Sequence, residues 1–427
     1  MEERARFAVE YESGEWTMAE LCRRYDISRK TGYKILARWQ QEGAAGLGDR
    51  NRAPHTHPNQ TTARIEAAVL ALRRAHMSWG PRKLRCWLED HHPQQPWPAP
   101  STIGALLGRA GLAHARRLRR RTPPFTQPFA AATEANAVWC ADFKGWFRTR
   151  DGERVDPLTM TDAASRYLLR CQAVEKTDTA AVRAISEAAF REYGLPRAIR
   201  TDNGPPFATR GVAGLSRLSL CWMKLGIVPE RIRPGHPEQN GRHERMHRTL
   251  AEETARPPQA NRRRQQEAFD RFRQEYNEER PHEALGQRPP AALYSASPRA
   301  YPARVPEPEY DSGIEVRTVY PHGQFFWKGR DVFLGKVLAG ERIGLEPIDD
   351  RYWCVCFGPF PIAWFDSREL TTGNLPCSET AGDGNPEISN SRDSRIPTAA
   401  TTTAGDQIPQ PKPVFKPGAK VLPICPV

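Results

Sequence analysis

Apolar and polar positions follow three successive rhythms along the 427 residues. Up to about residue 115 the spacing is helical. In TMAELCRRYDISRKTGYKILARWQQEG, Met18, Leu21 and Cys22 share one helical face, and Thr17 and Glu20 have capping-box spacing. DIS then makes a tight turn, and Ser28 caps a helix that ends at Gly43. That helix carries Arg29, Lys30, Lys34 and Arg38, and helix, short turn, basic helix is the pattern of a helix-turn-helix. After the Pro/Asn/His-rich linker NRAPHTHPNQ, a second helical unit repeats Ile65, Ala68, Val69 and Leu72 on one face. It continues with a helix opened by Pro81 and another capped by Ser101.

From about residue 135 strands alternate with helices. AVWCADFKGWF reads as one strand, RDG as a hairpin turn, and DPLTMTDAA and YLLRCQAV as two more strands. A helix ended by Gly194, the strand RAIRTDNG, the helix LSRLSLCWMKLG, the strand IVPERIRP and a long helix from Asn240 follow. Three strands and then helix–strand–helix–strand–helix predict a mixed sheet with helices on both faces. AFDRFRQEYNEERPHEAL adds a further helix, and residues 301–312 are a Pro/Glu-rich linker. The third rhythm is alternating and aromatic, broken by Gly and Pro-Asp turns, and predicts a small all-β barrel or sandwich over 313–372. Residues 373–427 have almost no large apolar side chains and predict a disordered tail.

Charge sharpens this picture. A net charge of +13, from 63 Lys+Arg against 50 Asp+Glu, favours a polyanionic partner. Arg116, Arg117, Arg119, Arg120 and Arg121 cluster before a pair of prolines as a phosphate-tracking arm. The nine cysteines form no CxxC pair and fit free thiols in a reducing compartment. No apolar run reaches membrane-spanning length and MEERARFAVE is no signal peptide, so a cytoplasmic, nucleoid-associated protein is expected.

The acidic residues that matter stand where strands end. Asp142 lies within VWCADFKGWF and Asp202 at the end of AIRTDNG. Taken alone, Asp202-Asn203-Gly204 is a good turn and Asp142 a partner for Lys144 or an arginine. Taken together on adjacent strands, the two carboxylates would repel unless a cation lay between them. Hard oxygen donors suit Mg²⁺. A third carboxylate from the following helix would complete a two-metal site for phosphodiester chemistry.

WCADFKGWF, RTDNGPPF, RPGHPEQNGRHERMHRTL and YNEERPHEALGQRPPAALY together resemble a bacterial insertion-sequence transposase of the DDE type, over residues 5–295. The catalytic part resembles the retroviral-integrase core, with a ribonuclease H-like fold. The resemblance implies a helix-turn-helix domain over 1–50, a second helical DNA-binding unit over 59–115 and a basic linker over 116–134. An integrase catalytic core over 135–295 and a small β-barrel-like domain over 313–372 would follow. It implies two Mg²⁺ ions, replaceable by Mn²⁺, on Asp142, Asp202 and a glutamate. It also implies DNA partners, namely terminal inverted repeats and target DNA, and a homo-oligomer that pairs two ends. Cleavage at the element ends and joining of the 3′-hydroxyls to target DNA would follow. A catalytically silent regulator and a nuclease that cuts without joining are the competing readings.

Two glutamates compete for the third position. Thirty-five residues separate Asp202 from Glu238, a spacing well known in this superfamily, and forty-one separate Asp202 from Glu244. In the family the glutamate lies three residues after a glycine that follows an HP turn, which here is Gly241 and selects Glu244. Asn240 is a suitable N-cap, so Glu244 would project from the first turn of a rigid helix, with ATRGVAGLSRL absorbing the extra length as a loop. Arg248, four residues after Glu244 on the same helix face, would contact DNA phosphate or only pair with Glu244, and Arg242 and Arg245 are similar. His236, His243 and His247 are expected to contact DNA or solvent, Asp162 to hold structure, Asn203 and Gly204 to shape the turn around Asp202, and Arg280, Pro281 and His282 to pack.

Overall fold

A computed structural model describes residues 2–50, 60–113, 132–232 and 240–375. These fall into two compact units, Met1–Ala63 and Arg64–Val427. The arginine arm Arg116, Arg117, Arg119, Arg120 and Arg121, with His236 and Glu238 and the tail from 376, lies outside the described residues.

The first unit is three helices, α1 (Glu2–Glu12), α2 (Met18–Arg24) and α3 (Arg29–Glu42). The capping box between Thr17 and Glu20 is present, and Ser28 accepts from the Thr31 N–H. Phe7, Met18, Leu21, Cys22 and Leu36 form the core. Gly32 is where α3 meets the others: a Cβ there would stand 2.8 Å from both Cys22 Sγ and Met18 Sδ. Arg29, Lys30 and Lys34 are exposed on α3, with Arg38 half-buried.

The second unit opens with α4 (Ala63–Ala75), α5 (Pro81–His91) and α6 (Pro100–Arg109), packed around Val69, Trp79, Leu84, Leu88 and Ile103. Pro81 stands in the first turn of α5 as expected. Ser101 is not a cap: Pro100 starts α6, Ala99 precedes it, and Ser101 falls inside the helix.

The mixed sheet comprises β1 (Val138–Phe143), β2 (Phe147–Arg148), β3 (Arg154–Asp162), β4 (Leu168–Val174), β5 (Ala198–Thr201) and β6 (Val228–Arg231). Its order is β2-β3-β1-β5-β6, with β4 also on β3. β3 runs antiparallel to β1 and β4, whereas β1, β5 and β6 are parallel. The expected single strand from Ala137 to Phe147 is in fact two, because Gly145 at φ +91° breaks it. Leu158 and Met160 pack towards α7 (Thr179–Tyr193) and α8 (Arg217–Lys224). Val155, on the other face, packs under α9 (Gly241–Thr254) and α10 (Arg262–Glu278). This is the alternation a sheet covered on both faces requires.

Beyond the core lie β7 (Glu315–Thr318), β8 (Gln324–Trp327), β9 (Arg330–Phe333), β10 (Arg342–Pro347), β11 (Tyr352–Phe357), β12 (Phe360–Asp366) and β13 (Thr371–Gly373). The expected barrel-like closure is not seen. The strands make an open sheet, β13-β12-β11-β10-β7, and a separate β8-β9 hairpin. The apolar face is instead covered by the core, since Val212, Ala213, Leu215, Leu220 and Met223 join Val319, Phe325, Ile343 and Val355 in one buried cluster. ATRGVAGLSRL is the expected loop, packed into this cluster. It contains a buried 3₁₀ turn, Val212–Gly214, whose Ala213 N–H donates to Asn374 Oδ1 at 2.7 Å.

Candidate active site

Parallel pairing of β1 with β5 joins Val138 to Ala198, Trp139 to Ile199 and Cys140 to Arg200. Extending that register by two residues sets Asp142 opposite Asp202, at the carboxyl ends of neighbouring strands about 4.8 Å apart. The turn after β5 is tied twice: Gly204 N–H donates to Asp202 Oδ1 at 3.2 Å, and Asn203 Nδ2 donates to the Ile232 carbonyl at 2.9 Å.

Helix α9 is fastened beside this pair. Asn240 does not cap it, contrary to expectation: no side-chain capping bond forms, and Asn240 Nδ2 donates to Asp142 Oδ2 at 2.8 Å. The Nδ2 end of the amide donates to a half-buried carboxylate, a charge-assisted bond that orients the side chain. Glu244 lies in the first turn of α9 and is solvent-exposed, with Arg245 and Arg248 also exposed.

Asp142 feels the charge of both other acids. Burial pushes the Asp142 carboxyl up to about 7, and the negative charge of Asp202 and then of Glu244 pushes the same way, against hydrogen bonds from Phe143 N–H and Asn240. Burial also raises Asp202. Carboxylates held this way favour a proton or a cation. All three candidate donors are hard oxygens, and Oδ2 of Asp142 accepts from the Asn240 amide.

His243 and His247 are not in solvent, and their expected contact with DNA or water is corrected here. Both are buried under α9 against β3. Thr159, the antiparallel neighbour of Asp142, has its Oγ1 2.6 Å from His243 Nε2 and 2.7 Å from His247 Nε2. Thr161 Oγ1 lies 3.0 Å from His243 Nδ1. One proton arrangement is self-consistent: Thr161 donates to His243 Nδ1, His243 Nε2–H to Thr159, and the Thr159 hydroxyl to His247 Nε2, with the Asp142 carbonyl 3.2 Å from the same hydroxyl. Burial holds both rings neutral, His243 down to about 3 and His247 to about 2. Donor atoms of Asp142, His243 and His247 all lie within 4.8 Å of one another. Thr159 nevertheless occupies both Nε2 positions, so the imidazoles serve to anchor α9. The signal in the sequence was the i,i+4 spacing, which also describes a pair on a buried face.

Asp162 is fully buried and accepts from Asn136 N–H at 2.7 Å, Ser165 N–H at 2.8 Å and the Ser165 hydroxyl at 2.6 Å. Arg280 is buried and pairs with Glu253 at 2.7 Å, and His282 packs edge-on against Tyr276. No helix among the described residues is long and apolar enough to cross a membrane.

Comparison with known proteins adds the following. Residues 132–237 and 225–290 match models described as integrase core domain. Residues 3–55 match a helix-turn-helix domain and 31–107 a homeodomain-like domain. The chain is 30% identical over 282 residues to the insertion element IS476 uncharacterized 39.2 kDa protein of Xanthomonas euvesicatoria, spanning 64% of this chain and 77% of that protein. It is 28% identical over 248 residues to the insertion element IS407 uncharacterized 31.7 kDa protein of Burkholderia multivorans, spanning 57% of this chain and 84% of that one. Among solved structures, a chain of a simian T-cell lymphotropic virus intasome in complex with PP2A regulatory subunit B56 gamma is 16% identical. It covers 73% of this chain and 100% of its own, at a TM-score of 0.34.

Proposed function

Since the chain belongs to the insertion-element transposase family built on helix-turn-helix domains and an integrase core, we propose that it is a DNA transposase acting on the ends of its own element. The integrase core marks a polynucleotidyl-transferase type of enzyme. The observation that carries the reading is the register that faces Asp142 with Asp202, supported by the Asn240 bond that ties the start of α9 to Asp142.

The residues present fit a divalent cation, with Asp142, Asp202 and Glu244 as its holders. Two Mg²⁺ ions, or Mn²⁺ in their place, would activate the attacking oxygen and stabilise the leaving one. The rest is the chain's own work. Asp142 stands within β1 and Asp202 directly after β5, in a turn tied down by the Gly204 and Asn203 hydrogen bonds, so the donor spacing is held by the sheet and that turn. Asn240 holds the Asp142 carboxylate in one orientation. Thr159 and the two imidazoles fix the phase of α9, and thereby the direction of Glu244. Exposed Arg29, Lys30 and Lys34, with Arg38, on α3 would read terminal inverted repeats in the major groove, and Arg245 and Arg248 would hold phosphates beside the acids. The arginine arm at 116–121 would add sequence-independent affinity. Hydrolysis at an element end leaves a 3′-hydroxyl, which attacks target DNA in line, with no protein-linked intermediate. Joining two ends in concert calls for a homo-oligomer on DNA.

Incubating the full chain with end-containing duplex and Mg²⁺ or Mn²⁺ tests this. Joined products support the transposase, nicking alone indicates a nuclease, and retention of DNA without cleavage indicates a silent regulator.

A further inference from the structure

The second helical unit is docked on the core where α5 meets the far ends of α9 and α10. Ser78 donates to Glu253, His76 Nδ1 lies 2.7 Å from Glu275, Arg82 pairs with Glu283 at 2.9 Å, and Cys86 Sγ approaches the Gln287 carbonyl. Arg280 donates to both Glu253, at 2.7 Å, and Ser78, at 3.2 Å. The carboxylates of this junction are thus matched. Three cations are left over. Lys83 on α5, Arg166 in the β3–β4 turn and Arg245 on α9 have no side-chain hydrogen bond or ion pair among the described residues.

Arg166 is the telling member. Its Nε is buried without a partner, and its backbone sits at φ +68°, a region that favours glycine. A side chain kept in a strained turn with a buried donor unsatisfied costs stability, which something else must offset. Arg242, whose Nη1 donates to the Ala163 carbonyl at 3.3 Å, stands over the same turn and adds like charge. Burial, reinforced by Arg242 and Arg245, brings the Arg166 guanidinium down to about 10. Burial, reinforced by Arg280 and Arg245, brings Lys83 down to about 8. Arg245 acts on both, and at Lys83 the carboxylates of Glu253 and Glu283 offset only part of the positive field.

We propose that Lys83, Arg166 and Arg245 form a binding site for a backbone phosphate of duplex DNA, bridging the second helical unit and the integrase core. The inference rests on the reading of the chain as a DNA transposase. A phosphodiester brings fixed negative charge and several acceptor oxygens, which suit a guanidinium fork and an ammonium together. Arg245 is the neighbour of Glu244 on α9. A phosphate held here would therefore set where the strand lies relative to the proposed catalytic acid, and would link recognition by the helical unit to that position.

The test uses the full chain, the DNA flanking its gene as duplex probe, and Arg166→Gln, Lys83→Gln and Arg166→Lys. We expect both Gln variants to bind several-fold more weakly and their log–log salt slope to flatten by about 0.9 for each lost contact. Arg166→Lys should restore part of the slope. In the wild type, a neutral methylphosphonate at one backbone position should weaken binding, and in Arg166→Gln it should cost nothing further. The melting temperature of Arg166→Gln should be equal to or above that of the wild type. Wild-type binding with unchanged affinity and slope in both Gln variants would remove this site and leave the transposase reading standing, as would a lower melting temperature with an unchanged slope. Failure of the wild type to bind any duplex would overturn that reading and this site together.

Discussion

Asp142→Asn should make the metal-free protein more stable while making it inactive. The folded carboxyl is raised from the ordinary 3.8 to about 7, first by burial and then by the charge of Asp202 and Glu244. Between those two values the folded chain holds a proton that the unfolded chain has released, so metal-free stability falls as pH rises from about 4 to about 7. At about 1.4 kcal/mol per tenfold change, the full penalty above pH 7 has a ceiling of about 4 kcal/mol, reduced by whatever water reaches the half-buried group. Asparagine carries no charge to desolvate and keeps an oxygen for the Asn240 amide. The neighbouring imidazoles stay neutral across this window, because burial holds them down to about 3 and about 2. Urea unfolding in EDTA should show wild type and Asp142→Asn alike near pH 4, with the variant more stable by up to about 4 kcal/mol near pH 8. Added Mg²⁺ should stabilise the wild type and leave the variant unmoved. A variant no more stable than the wild type at pH 8 without metal would refute this account of Asp142.

Asp202→Asn and Glu244→Gln, like Asp142→Asn, should abolish strand joining on a gel while mobility-shift binding persists. Glu238→Gln should still join, and loss of joining there would reassign the third acid. Thr159→Val should orphan two buried ring nitrogens at a cost of about 3 kcal/mol, lowering the melting temperature by about 6–12 °C. Thr159→Ser should recover most of it, and equal melting of Val and wild type would show the clamp to be unimportant. Arg280→Ala should expose Glu253 and loosen α4–α6 at a cost of about 2–4 kcal/mol, read as faster hydrogen exchange in α5. Unchanged exchange there would contradict the role of Arg280 in docking.

Local chemistry was the legible part of the sequence. The capping box at Thr17, the cap at Ser28 and the strand–helix alternation of the core are all written in short-range patterns, and they form as read. Departures came where a distant partner decides. Asn240 makes no capping bond and instead donates its amide N–H to Asp142, a carboxylate 98 positions away in sequence that fixes how the side chain lies. His243 and His247 look like exposed or ligating residues until β3 supplies Thr159. The carboxyl-terminal strands alternate as a barrel would, yet the sheet stays open because Val212 and Leu215 of the core fill its apolar face. Arg166 carried no sequence signal at all, since its meaning lies in the absence of a nearby carboxylate.

The most direct measurement is anomalous diffraction from crystals of the full chain with Mn²⁺ and an element-end duplex. The account predicts a peak between Asp142 and Asp202, with Glu244 oxygen within about 2.2 Å of a bound ion. A peak coordinated by His243 and His247, or one with Glu244 turned to solvent and Glu238 in its place, would contradict it.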